Sequence, residues 1–212
     1  MTEEQRPQRL DLAQFASVED AISKVESARD YTSIAEEYIV PGELALPMLF
    51  FGSMINRCEG LHTGIAREMR EANPQAVFPL IRTYAEAAAL LIYVIDHIKY
   101  IEALIDKPQQ RRQDVPARLK VGKLVSYAKR KVAPGFKFAY DELSDFTHFG
   151  STAMWTPYVL DEDGKKFSWT SYPRWKSDEQ ALIAAAGTLE ISAATHALLR
   201  NFGNRYLKRP RG

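Results

Sequence analysis

The sequence predicts a mainly α fold, a bundle of four to six helices with a small β-hairpin inserted before the last one. Three observations predict it. Apolar residues recur at helical spacing along two long segments, Leu46–Asn73 and Gln75–Asp106. Short runs rich in β-branched and aromatic residues, AMWTPYVL and KKFSWTSY, flank the turn DEDG. The composition of the 212 residues, 46% hydrophobic and 26% charged, is that of a globular chain able to bury a sizeable core.

Residues 1–16 read as a loosely ordered N-terminal segment, ahead of a single domain over 17–206 and a basic tail at 207–212. Ser17 is an N-cap, with Glu19 and Asp20 in the first turn to meet the helix dipole. That helical pattern runs to Val40 with a break near Asp30–Ser33, and Pro41-Gly42 ends it. Pro47 is tolerable only in a first turn, so the next helix starts beside it and carries Phe51, Met54, Cys58, Ile65 and Met69 on its apolar stripe. Asn73-Pro74 breaks the chain, and Pro79 limits how early the following helix can begin. So short a connection makes the two helices an antiparallel hairpin. Residues 107–116 read as a polar loop, Ala117–Val132 as a helix stopped by Pro134-Gly135, and Phe136–His148 as another short helix. The β-hairpin lies within 153–172 and turns at Asp161–Gly164; Trp155, Trp169 and Trp175 are expected to pack this ribbon onto the helices. Ser177-Asp-Glu-Gln180 has the form of a capping box and opens the last helix, through Tyr206.

A single cysteine, Cys58, excludes an internal disulfide and a cysteine-rich zinc site. The polar N-terminus has no signal core, and the uncharged run Leu44–Asn56 is too short to span a bilayer. The expectation is a cytoplasmic protein with no membrane partner. A net charge of +1 gives no global attraction to any partner class.

Glu86 is the only charge from Thr83 to Ile95, and a carboxylate is rarely buried without a partner. Arg82, four residues earlier, shares its helix face. The pair is either an active-site carboxylate held by arginine or a structural pair that fixes helix register. Glu59-x-x-His62 on the preceding helix is the half-motif that di-iron carboxylate bundles repeat. In a hairpin turning at Asn73-Pro74, His62 falls level with Glu86. Asp145-x-x-His148 would supply the second half, and Glu36 or Glu37 the remaining carboxylate. That set is incomplete, with Asp where Glu is needed, so a polar cluster around Glu86 without metal or cofactor is expected. Tyr140, Ser144 and His148 share a helix face that can meet Glu86; the alternative is a histidine that closes a helix end. No G-x-S-x-G elbow, G-x-G-x-x-G or Walker pattern occurs.

An R-x-x-x-E helix followed by Y-x-x-x-S-x-x-x-H-x-x-S, here Arg82, Glu86, Tyr140, Ser144, His148 and Ser151, resembles bacterial families of unknown function. These are grouped with HEPN-like (higher eukaryotes and prokaryotes nucleotide-binding) helical proteins, and the likeness covers residues 45–205 in order of elements. It implies an accessory or effector protein in nucleic-acid-linked defence. Ribonucleases in that broad group carry an Arg-x(4–6)-His motif, matched here only by Arg57–His62, with Cys58 after the arginine. A metal-independent ribonuclease and a di-iron-like oxidoreductase are the alternatives.

From Val115 to Tyr140 the chain carries seven basic residues and no acid. They are Arg118, Lys120, Lys123, Lys129, Arg130, Lys131 and Lys137, interleaved with Tyr127, Phe136, Phe138 and Tyr140. Such a stretch suits RNA or another phosphate-bearing partner, because cations meet the backbone and rings stack on bases. The competing reading is internal: residues 17–43 carry seven acids against two bases, and the two segments would neutralise each other. Apolar surface on more than one face of the long helices predicts a homodimer.

Overall fold

The computed structural model describes residues 10–40, 42, 45–105, 117–131, 140, 143–144, 154, 157–160 and 166–208. Among them the fold is a mainly α bundle with one short strand pair.

Helix α1 (Val18–Ser27) starts as its sequence dictates. Ser17 Oγ accepts the Asp20 N–H at 3.1 Å and Asp20 Oδ2 accepts the Ala16 N–H at 3.0 Å, satisfying two backbone donors. Just before it, Phe15 is buried in the core. Residues 28–30 form a corner into α2 (Tyr31–Tyr38). Gly42 then adopts φ +85°, a conformation open to glycine at little cost.

The long hairpin is α3 (Leu46–Arg70), with Pro47 in its first turn, and α4 (Pro74–Asp96). Asn73 closes the connection through its own N–H to Glu68 O at 2.9 Å and its amide to Glu68 Oε2 at 2.8 Å. Pro79 does not bound α4 but lies inside it, in the second turn, ahead of the packed length Ile81–Ile95. Burial of that length outweighs the local cost of the proline.

The second long helix is not continuous to Asp106, as its pattern predicts. It stops at Asp96, turns through His97–Lys99 and resumes as α5 (Tyr100–Ile105). The break turns the Tyr100 ring into the core, where its hydroxyl accepts the Leu119 N–H at 2.6 Å. Residues 117–120 are not helical, and α6 runs Val121–Lys131 rather than from Ala117.

Strands β1 (Tyr158–Leu160) and β2 (Phe167–Trp169) pair antiparallel, with Tyr158 opposite Trp169. The expected turn Asp161–Gly164 and Trp155 lie outside the described residues. The other tryptophans divide: Trp175 packs edge-on against Phe78 (centroids 6.2 Å apart), whereas Trp169 is 63% exposed and does not seal the ribbon onto the helices.

Helix α7 (Asp178–Tyr206) opens with Ser177 Oγ accepting the Gln180 N–H. The bundle is built around α4, which packs against α3, α6 and α7, while α1 and α2 lie over α3 and α7. Phe51 stacks on Phe202 at 5.9 Å, and a second, smaller core joins Ala89 and Ile92 of α4 to Leu124, Val125 and Ala128 of α6. Among the described residues α4 and α7 are long and apolar enough to cross a membrane, by length and composition. In this fold α4 is the central, mostly buried helix.

Candidate functional site

Arg82 and Glu86, one turn apart on α4, pair at 3.4 Å (Nε to Oε1). Tyr140 joins them: its hydroxyl donates to Glu86 Oε1 at 2.7 Å and accepts from Arg82 Nη2 at 2.8 Å. The Arg82 guanidinium also lies 4.9 Å from the centre of the Tyr140 ring. Glu86 is half-buried rather than buried, its side chain 23% exposed, and Arg82 is its charged partner as expected from the spacing, with Tyr140 added. Burial is the main cause that raises the Tyr140 phenol above its ordinary pKa, so the hydroxyl stays protonated and donates to the carboxylate. Ser144 does not reach this cluster: its hydroxyl bonds back to Tyr140 O at 2.7 Å. Asp145, His148 and Ser151 lie outside the described residues.

His62 is level with α4 as the hairpin register predicts, but it meets Tyr84, at 6.1 Å between centroids. Tyr84 and Glu86 are two residues apart, about 200° around the helix, so they project from opposite sides of α4. His62 is fully buried and its Nε2 is held at 2.7 Å by the carbonyl of Val25. That bond and that direction remove it from any ligand set with Glu86. Glu36 and Glu37 are exposed; Glu37 faces Arg200 at 3.7 Å and Lys208 at 3.0 Å. Among the described residues no group of three or more histidine, cysteine or acidic side chains is arranged to hold a metal. Arg57 is exposed while His62 is buried, so Arg57–His62 is not one site either.

Around His62 lies a buried polar seam that sequence reasoning missed. The hydroxyls of Tyr31 and Tyr84 hydrogen-bond to each other, and His196 of α7 packs edge-on against Tyr31 at 4.5 Å. Cys58, Ser192 and Thr195 are buried around them. Burial pushes the phenol of Tyr84 and the thiol of Cys58 each up to about 12, so neither ionises near neutrality. Burial likewise lowers His62 and His196 below the ordinary histidine range. These groups pack as a neutral polar seam within the core, with His196 half-buried at its side.

The basic segment builds the open surface. Helix α6 buries Leu124, Val125 and Ala128 on α4 and turns Lys123 and Arg130 outward. Tyr127 is fixed at the edge of that face: its hydroxyl donates to Asp96 Oδ2 at 2.6 Å, and Asp96 also takes Lys131 at 3.1 Å. The Asp96 carboxylate holds the Tyr127 phenol up at about 12. Tyr93 and His97 press on the Tyr127 ring at 5.1 and 5.5 Å between centroids. Together Tyr93, Leu119, Lys123, Ser126, Tyr127 and Arg130 line a shallow groove of about 320 Å³.

Among the described residues, five acids of 17–43 pair away from this segment, Asp20 with Lys24 of α1 among them. Glu19 and Glu26 hold Arg70 of α3, Asp30 holds Arg200 of α7, and Glu37 holds Lys208. Two of the expected phosphate binders are also spent internally, Lys131 on Asp96 and Arg118 on Leu104 O at 2.7 Å. Lys120, Lys123, Lys129 and Arg130 are exposed and form no ion pair among the described residues. Lys137, Phe136 and Phe138 lie outside them. No family model, curated protein or solved structure matches this chain.

Proposed function

We propose that this chain is an RNA-binding helical-bundle protein, HEPN-like in build, that meets the phosphate backbone through the outer face of α6. One observation carries the reading: Lys120, Lys123, Lys129 and Arg130 are exposed with no acidic partner among the described residues, beside a tyrosine fixed by Asp96. Surface lysines that balance nearby acids are ordinary; here Glu19, Glu26 and Asp30 are matched by α3 and α7 instead. A cationic face without acidic partners among the described residues, next to the half-buried rings of Tyr93 and Tyr127, suits a polyanion that also has π-faces. The role in the cell that fits this reading is an accessory or effector of nucleic-acid-linked defence.

Binding of a labelled RNA, followed by fluorescence anisotropy at low salt, tests it. Lys123→Ala/Arg130→Ala should lose at least tenfold in affinity while keeping the wild-type melting temperature, since both side chains are exposed. Equal affinity of the variant and the wild type would remove α6 from consideration.

A further inference from the structure

The groove on α6 does more than present charge, and the geometry points to a single-stranded RNA as its ligand, with one unpaired base seated against Tyr127. This rests on the α6 reading above. Tyr127 is not a freely rotating surface ring: its hydroxyl is tied to Asp96 at 2.6 Å and its ring is braced by Tyr93 and His97. A ring already fixed loses little freedom when a base stacks on it. Arg130 stands 5.9 Å from the centre of the same ring, placing a planar cation where a stacked base and its phosphate would both meet it. Leu119 supplies apolar wall, and the Ser126 hydroxyl, which donates to Gly122 O at 2.7 Å, keeps lone pairs free to accept from a base amino group.

Size separates single strands from duplexes. The helical part of the cationic face, from Lys123 to Arg130, spans seven residue steps, about 10 Å of helix with Lys120 just ahead of it, enough for a few phosphates only. Shape readers of double-stranded RNA need a footprint of about 16 base pairs across successive grooves. A duplex also keeps its bases stacked inside, so the groove beside Tyr127 would stay empty. A single strand can turn one base out and fill it.

The experiment compares three ligands of equal length on the unmodified protein: a 16-nucleotide single-stranded RNA, the same sequence as a duplex, and an abasic phosphodiester of 16 units. The single strand should bind about 5- to 150-fold more tightly than the abasic chain, the range that one base–aromatic stack supplies. It should also bind more tightly than the duplex, although the duplex carries twice the phosphates. If all three bind alike, or the duplex binds best, and Lys123→Ala/Arg130→Ala still weakens them, the base seat is wrong and backbone binding stands. If that variant binds every ligand as the wild type does, or the wild type binds none at low salt, both readings fall. Because the base seat itself is judged by comparing ligands on the unmodified protein, that part of the test does not depend on a variant folding.

Discussion

The hydroxyl of Tyr127 on α6 and the carboxylate of Asp96 at the end of α4 form a 2.6 Å hydrogen bond that joins the open face of the protein to its central helix. Asp96 also takes Lys131 at 3.1 Å and Arg205 of α7 at 4.0 Å, so one carboxylate ties three helices together. The Tyr127 hydrogen bond, then the Lys131 contact, keep this carboxyl below its usual range.

Asp96→Asn should loosen α6 selectively. Hydrogen exchange of the α6 amides is expected to quicken while the middle of α4 stays protected, with a stability loss of about 1–2 kcal/mol. The Tyr127 phenol, held at about 12 by the carboxylate, should fall back toward its ordinary 10.0 when followed by NMR. Unchanged exchange in α6 would show that Asp96 is not its anchor.

Glu86→Ala should cost about 1.5–3 kcal/mol in chemical denaturation, the range for hydrogen bonds to a charged group. The side chain is 23% exposed, so the larger penalty of a fully buried broken ion pair does not apply. Glu86→Gln keeps an acceptor for Tyr140 and should lose less than Glu86→Ala. Equal losses would mean that the Tyr140 contact contributes nothing.

Gly203→Ala should destabilise the bundle by about 1–3 kcal/mol, because a methyl at this position of α7 would overlap the Tyr38 ring. Tyr38 is buried and its hydroxyl donates to Asn204 Oδ1 at 2.9 Å, so the ring cannot swing away freely. A wild-type melting temperature in this variant would show that α2 and α7 sit further apart than described.

Stability should decline on mild acidification. His62 and His196 are held below 6.5 by burial, so the folded protein binds fewer protons than the unfolded chain. Their effect is absent above pH 6.5 and grows as pH falls below it, by at most about 1.4 kcal/mol per pH unit for each histidine. Arg29 and Glu59 face His62, and Asp30 and Arg200 face His196. Glu26, Asp30 and Glu37, all held low by cationic partners, add their own loss only as pH approaches and passes 4. A His62→Gln/His196→Gln variant should therefore lose less between pH 7.5 and 5.5 than the wild type. An equal drop in melting temperature would assign the acid sensitivity elsewhere.

Much of the architecture was legible because it is written in local signals. Ser17 and Ser177 announce two helix starts, Asn73-Pro74 announces the hairpin, and the strand pair follows its β-branched and aromatic runs. The break at Asp96–Lys99 was not, because apolar spacing continues through Ile98 and Ile101; what ends the helix is tertiary, the burial of Tyr100 and the claims on Asp96. Hairpin register placed His62 at the right level, yet level is not direction, and Tyr84 rather than Glu86 points toward it. Tyr31, Tyr84 and His196 escaped notice because tyrosines and a histidine within apolar patterns look like ordinary core. Which of the basic residues stay open could not be read from charge counts, since Arg118 and Lys131 are claimed by neighbours distant in sequence.

The salt dependence of RNA binding tests the central claim most directly. If Lys120, Lys123, Lys129 and Arg130 meet phosphates of a single strand, log K should fall with log salt at a slope of about −2 to −3, near −0.7 per contact. In Lys123→Ala/Arg130→Ala the slope should flatten by about 1.4, the share of two lost contacts. A variant slope equal to that of the wild type, or binding that ignores salt, would contradict the account.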